Sequence, residues 1–271
     1  MKNIRLFWFS EIHLLNKKSE NYGDLLGKYL VEKIANTKVI FANPRKFSFC
    51  NYFKPTYFTA GSILANVKGN AVVWGSGIIT KEAKVNKAKF LAVRGPQTRK
   101  RLLQLGYQCP EVYGDPAILL PNYYNPKITK KYKYGIIPHY VDFNEISQIN
   151  KDPNCTVINL MTNDIENVTQ QILECENIIS TSLHGVIVPH AYGIPAIWVK
   201  FSNKIFGDDI KYQDYFESVG INTYAIPITT EQFKAEFFDT CLNTYNSLPN
   251  LELLNKNKSD LIQVCPFVSH K

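Results

Sequence analysis

Residues 178–199, IISTSLHGVIVPHAYGIPAIWV, constrain the fold of this chain more than any other stretch. The apolar pair Ile178-Ile179 gives way to a small hydroxyl loop, Ser180-Thr181-Ser182, and then to Leu183, His184 and Gly185. A short apolar segment follows and closes at Gly193 and Pro195, ahead of the strand-like Ala196-Ile197-Trp198-Val199. Strand, polar turn, short helix, strand is the repeating unit of a parallel α/β sheet. In such sheets ligands collect at the carboxyl ends of the strands. His184 and the hydroxyls before it are expected at that edge, beside the free N–H groups of a helix start.

The same alternation runs along the rest of the chain. Strands are expected at residues 4–9, 39–42, 57–62, 71–74 and 90–93, with a helix over 25–34 capped by Asp24 and another over 98–105 ended by Gly106. Residues 121–133, rich in Pro, Asn, Tyr and Lys, form the best linker candidate. A second series follows: strands at 134–137, 155–159 and 224–226, and helices over 163–173 and 230–242. The stretch beyond Asn250 is polar and weakly patterned. The expectation is an α/β chain of two Rossmann-like lobes, residues 1–125 and 126–271, with parallel sheets and a cleft between them.

Composition narrows the partners only in part. With 45% hydrophobic residues, 13% of all residues aromatic, the chain is globular rather than disordered. A formal charge of +8 favours anionic ligands, but the lysines are dispersed and charge alone does not choose between metabolites, lipid headgroups and nucleic acid. The six cysteines (Cys50, Cys109, Cys155, Cys175, Cys241, Cys265) contain no C-x-x-C pair and no Cys/His cluster, which points to reduced buried thiols in a cytoplasmic protein and to no metal. Residues 4–9 are too short and too charged for a signal-peptide core, and no uncharged apolar run reaches the roughly 18 residues needed to span a bilayer. A soluble protein, at most peripheral to a membrane, is expected.

Polar signatures fall at the expected strand ends in both halves. Gly75-Ser76-Gly77 resembles the start of a dinucleotide loop but lacks its third glycine; its bare N–H groups and hydroxyl suit an oxyanion, a tight turn being the plainer reading. Arg94, between an apolar strand and Gly95-Pro96, is equally suited to an anion or to a salt bridge between lobes. Asp115 in Gly-Asp-Pro-Ala reads first as a turn or cap residue. Among the histidines, His13 and His270 have no supporting context, His190 reads as a packed helix residue, and His139 is divided between cleft and structure. His184 has the strongest case for proton chemistry.

Taken in order, these segments resemble the polysaccharide pyruvyltransferase family. The series is Asn21-Tyr22-Gly23-Asp24, Gly75-Ser76-Gly77, Val93-Arg94-Gly95-Pro96, Gly114-Asp115-Pro116-Ala117, Ile137-Pro138-His139-Tyr140 and Ser182-Leu183-His184-Gly185. The resemblance implies two lobes similar to GT-B glycosyltransferases, the first on the acceptor side and the second on the donor side. It also implies transfer of a pyruvyl group from phosphoenolpyruvate onto two hydroxyls, commonly O4 and O6, of a hexose carried on a polyprenyl lipid, with no cofactor and no nucleic acid partner. On that footing His184 is the acid candidate, Arg94 meets the donor, and His139 or Asp115 takes the hydroxyl proton. Asn21, Gly23, Asp24, Gly75, Ser76, Gly77, Asp115, Ser180, Thr181, Ser182, Leu183 and Gly185 are the expected binding residues. Many members carry arginine directly before the Leu-His pair, where this chain has Ser182; it looks like the exopolysaccharide subgroup, in which Ser-Leu-His-Gly is usual. The segment 203–216, with Lys204, Phe206, Lys211, Tyr212 and Tyr215, is expected to face an anionic membrane, the sugar, or plain solvent. Two rival readings share these features: a nucleotide-sugar glycosyltransferase and a non-catalytic glycan-binding protein.

Overall fold

A computed structural model describes residues 3–46 and 53–268; Cys50 and His270 lie outside them. The chain forms two parallel sheets of five strands each. The first is built from β1 (Ile4–Phe7), β3 (Val39–Phe41), β4 (Thr56–Phe58), β5 (Ala71–Trp74) and β6 (Lys89–Ala92), in the order β3-β1-β4-β5-β6. The second contains β7 (Tyr132–Ile137), β8 (Cys155–Val157), β10 (Cys175–Ser180), β11 (Ala196–Lys200) and β12 (Ile226–Pro227), in the order β12-β11-β10-β7-β8. Numbered within its own lobe, each sheet reads 2-1-3-4-5, the doubly wound order whose switch point lies between its first and third strands. These are the two Rossmann-like lobes of a GT-B-like arrangement.

The helices follow the expected alternation: α1 (Glu11–Leu15), α2 (Tyr22–Ala35) and α3 (Pro96–Gln104) in the first lobe, then α4 (Phe143–Ile149), α5 (Ile165–Leu173), α6 (His184–Ala191), α7 (Ile210–Ser218) and α8 (Ala235–Thr244). Local chemistry sets their ends. Pro96 opens α3, where its missing N–H is not needed, and Asp164 caps α5 by accepting from Asn167 N at 3.0 Å. The helix expected from residue 230 begins at Ala235 instead, behind a separate turn of 3-10 helix at Thr230–Gln232.

The lobes are not separate cores. A short antiparallel pair joins β2 (Glu20–Asn21) to β9 (Met161–Thr162), and Tyr22 N donates to Leu160 O at 2.7 Å beside it. The largest apolar cluster contains Leu26 and Leu30 of α2, Trp74 of β5, Val186 and Ile187 of α6, and Leu261. Its centre holds the fully buried Ile118, Leu119 and Leu120 of a 3-10 helix, Pro116–Asn122, which takes up the start of the expected linker.

The segment after Asn250, which lacks an obvious pattern, forms α9 (Leu251–Gln263), capped by the Asn250 side chain. It packs on both lobes: Asn257 Nδ2 donates to Ser218 O at 2.7 Å in the second, and its far end reaches the first. Trp74 Nε1 donates to Leu261 O at 2.9 Å, and Phe267 packs edge-on against Trp74 and Tyr57. Only one narrow apolar stripe on α9 is buried, so its role is invisible to periodicity read over a polar segment. Leu261→Ala is expected to lower the unfolding free energy by about 2–5 kcal/mol in urea titration, the range for truncating a buried leucine. Leu251→Ala, at a side chain 66% exposed, is expected to stay within about 0.5 kcal/mol of wild type.

Candidate active site

Both switch points open on one cleft. From the first lobe, the loops after β1 and β4 bring Phe9, Glu11, Gly61 and Ser62; from the second, those after β7 and β10 bring His139, Ser182 and His184. The cleft measures about 440 Å³ and is closed on a further side by the start of α2, with Asn21 and Asp24, and by Lys211 of α7.

His184 is the first residue of α6 and is 8% exposed, with its imidazole pressed against the start of α2. A Cβ on Gly23 would stand 2.1 Å from His184 Nδ1, so only glycine lets the ring occupy this place. Asn21 caps α2 by accepting from Gly23 N at 3.0 Å; Asp24, expected as the cap, lies instead in the first turn and lines the cleft. On the other side of the ring, His184 Nε2 lies 3.4 Å from Asp115 Oδ2. Asp115 is completely buried and uses Oδ1 to cap the following 3-10 helix through Ala117 N at 3.0 Å. Cap and histidine partner are thus one carboxylate. Burial acts on it most strongly and upward, but His184, Ala117 N–H and Arg94 together hold its carboxyl below the usual carboxylate range. This pairing orients the imidazole: Nε2 is buried facing Asp115 and makes no hydrogen bond among the described residues, and Nδ1 lies against Gly23.

The hydroxyl loop divides into structure and site. Ser180 Oγ accepts from Ser182 N at 2.9 Å and lies 3.0 Å from Ile137 O. Thr181 Oγ1 accepts from His139 N at 2.7 Å, and Thr181 O accepts from Tyr212 Oη at 2.6 Å. These contacts tie β10 to the loop after β7; only Ser182 and Leu183 face the cleft. Gly185 is a packing glycine, since a Cβ there would stand 2.2 Å from Ser180 Oγ.

Asp24 and His139 carry unusual proton affinities. Burial pushes the Asp24 carboxyl up to about 7; Glu11 and Glu20 add to the rise while His184 and Lys211 oppose it. Burial lowers His139 to about 4, helped by the positive charges of Lys211 and Lys17, so its ring is neutral at neutral pH. The Glu20 carboxylate just outside accepts from Ser10 Oγ at 2.6 Å and Glu11 N at 2.7 Å, fixing the loop after β1.

Arg94 does not line the cleft. Its side chain is fully buried: Nε donates to Asp214 Oδ2 at 3.0 Å, one terminal nitrogen to Ser62 Oγ at 2.6 Å, and the other to Ile78 O at 2.7 Å. The salt bridge between lobes is the reading the structure supports. Gly75, Ser76 and Gly77 do not line the cleft either. A Cβ on Gly77 would stand 2.3 Å from Arg94 Cζ, Gly75 takes φ +89° against Pro116, and Ser76 donates to Gly61 O at 2.8 Å. The segment 203–216 also divides, since Tyr212 and Tyr215 are core residues, Lys211 lines the cleft, and Lys204 and Phe206 are exposed. His190 is packed as expected, bonded to Tyr215 Oη at 3.0 Å. Asp214 and Glu20 carried no sequence signal, because their partners are distant in the chain or unmotifed. Among the described residues no group of His, Cys, Asp and Glu is placed to hold a metal, and no helix is long and apolar enough to cross a membrane.

Two doubly wound lobes, with an aspartate-paired histidine at a helix start in the cleft between them, define a two-lobed α/β protein with a candidate active site. The family model for polysaccharide pyruvyl transferase matches residues 5–203, and the chain belongs to that family. It is also similar to the uncharacterized protein L143 of Acanthamoeba polyphaga mimivirus, 32% identical over 212 residues that cover 75% of this chain and 72% of that protein.

Replacing Arg94 with Met leaves Asp214 buried without its cation, and a loss of about 3–5 kcal/mol of stability is expected in urea titration. Removing both charges together, as Arg94→Met with Asp214→Leu, is expected to recover a large part of that loss.

Proposed function

We propose that this enzyme transfers the pyruvyl group of phosphoenolpyruvate onto two hydroxyls of a hexose in a bacterial polysaccharide repeat unit, with His184 as the acid. The observation that carries this reading is the His184–Asp115 pair, set at a helix start beside Asp24. Ketal formation begins with a proton delivered to the methylene carbon of the donor, which makes its neighbour C2 electrophilic. His184, oriented by Asp115 at 3.4 Å, is the group placed to give that proton. The first sugar hydroxyl then adds to C2, the bond from C2 to the phosphate oxygen breaks, and the second hydroxyl closes the ring. Of the two hydroxyl protons, one restores the acid and the other leaves with phosphate.

Asp24 takes the first hydroxyl proton in this scheme. Asp115, one of the two groups expected for that step, is sealed behind His184. Asp24 sits in the cleft with a proton affinity near neutrality, where a general base is most effective. Neutral His139, the other expected group, is suited to accept a hydrogen bond from the acceptor sugar. The cleft mouth carries Phe206, 73% exposed, with Lys204 and Arg45 near it. That mixture suits an acceptor on a polyprenyl lipid at the inner face of the cytoplasmic membrane, where the apolar ring enters and the cations meet the headgroups.

Isothermal titration separates this reading from its rival. Binding of phosphoenolpyruvate, and phosphate release when a pyruvylatable glycan is added, are the expected results; binding of a nucleoside diphosphate in its place would overturn it. His184→Ala and Asp115→Asn are expected to lower kcat by about 10²–10⁴ with little change in KM, read by phosphate release. Gly23→Ala is expected to fall in the same range, because the added methyl displaces the ring. The rate is expected to decline as pH drops below about 7, where Asp24 takes up a proton, and residual turnover in Asp24→Asn to lack that acidic limb.

A further inference from the structure

The donor reading calls for a cation near His184, and the two positions where the sequence suggests one do not supply it. Arg94 spends its donors on Asp214, Ser62 and Ile78 O, and position 182 holds serine. The cleft nevertheless contains a charged nitrogen. Lys211, second residue of α7, lines it together with Ser182, His184 and Asp24. Its stem crosses the Tyr212 ring, placing Nζ 5.2 Å from the ring centroid. Among the described residues no carboxylate lies within ion-pair distance of it; Asp24 and Asp209 act only at longer range, and Asp209 pairs with Lys200.

Other lysines around the cleft differ in this respect. Lys17 pairs with Glu11 at 2.6 Å, and Lys204, on the exposed rim, pairs with Glu145 at 3.4 Å. Lys211 is half-buried, and loss of solvent, with the Arg94 charge behind it, lowers its affinity for a proton to a pKa of about 8. A desolvated ammonium without a partner is an unfavourable state, and an anion that enters the cleft relieves it. The turns of α7 also fix its place: Tyr212 Oη donates to Thr181 O, and Asp214 holds Arg94. Residue 211 lies beyond residue 203, where the match to the family ends.

We propose that Lys211 is the oxyanion-binding residue of the donor site, pairing with the phosphate or carboxylate of phosphoenolpyruvate beside His184. This rests on the donor assigned above. An ammonium is a point charge rather than a planar fork, and unlike guanidinium it loses its charge within the working pH range. The groups facing it are Asp24 on α2, Arg94 after β6, His139 after β7, His184 on α6 and Asp209 before α7. Asp24 and His139 change charge at about 7 and about 4, below the range in which Lys211 loses its proton, so a fall in donor affinity above about 8 that disappears in Lys211→Arg belongs to Lys211.

The test is titration of the full-length wild type, Lys211→Met and Lys211→Arg with phosphoenolpyruvate from pH 7 to pH 10, with urea midpoints confirming that each variant is folded. Lys211→Met is expected to weaken binding about 10- to 100-fold at pH 7, the range for a hydrogen bond to a charged group. Wild-type affinity is expected to fall above pH 8, and that fall to vanish in Lys211→Arg. A structural role for Lys211 would leave the pH profile unchanged. Equal binding by wild type and Lys211→Met overturns the proposal. If phosphoenolpyruvate does not bind the wild type, the donor reading falls by itself, and inorganic phosphate decides Lys211: weaker binding by Lys211→Met supports it, and equal or absent binding overturns it.

Discussion

The buried pair between Arg94 and Asp214 is the contact on which the rest of the arrangement depends. Asp214 accepts from Arg94 Nε, from Thr98 N at 2.8 Å and from Thr98 Oγ1 at 2.6 Å, a set of donors that matches an ionised carboxylate. Two further donors of Arg94 go to Ser62 and Ile78 O, both in the first lobe. One guanidinium thus binds the loops after β4 and β5 to a helix of the second lobe, with no solvent present to screen the charges. The surrounding glycines are explained by the same contact: Gly77 leaves room for the guanidinium, and Gly95 for the carbonyl of Asp214. Once α7 is anchored there, Tyr212 reaches Thr181 and Lys211 reaches the cleft.

A second constraint works at the reacting centre. The start of α2, from the first lobe, lies so close to the start of α6, from the second, that one methyl group on Gly23 would displace His184. The histidine is therefore shared between lobes: α6 carries it, Asp115 orients it, and α2 supplies Gly23 against the ring and Asp24 in the cleft. Tyr22 Oη at 2.8 Å from Thr169 Oγ1 and the β2–β9 pair hold α2 in that position. A common core and several polar crossings favour a preformed cleft over one assembled by large lobe movement.

Much of this was legible in the chain. The strand–loop–helix around His184, the alternation of elements in each half and the polar residues at strand ends all follow from local patterns, and the structure places them as read. The functional weight of individual residues was less legible. Asp115 is a cap, as its sequence context suggests, and also the partner of His184; the second role depends on a residue 69 positions away. Arg94 and Gly75-Ser76-Gly77 have the residue types of an anion site but belong to a buried salt bridge and its packing. Lys211 carries no motif, and α9 has too narrow an apolar stripe to announce itself.

What the sequence by itself determined was the class of fold and the family, because β/α periodicity and short strand-end motifs are encoded within a few residues. What only the tertiary structure decided was the division of polar residues between scaffold and site. A guanidinium, a carboxylate and an ammonium each act according to what solvent and partner charges surround them, and those surroundings are assembled from both lobes. Arg94 met Asp214 and became structural, Asp24 lost water and moved its proton affinity towards neutrality, and Lys211 entered the cleft with no carboxylate among the described residues to pair with.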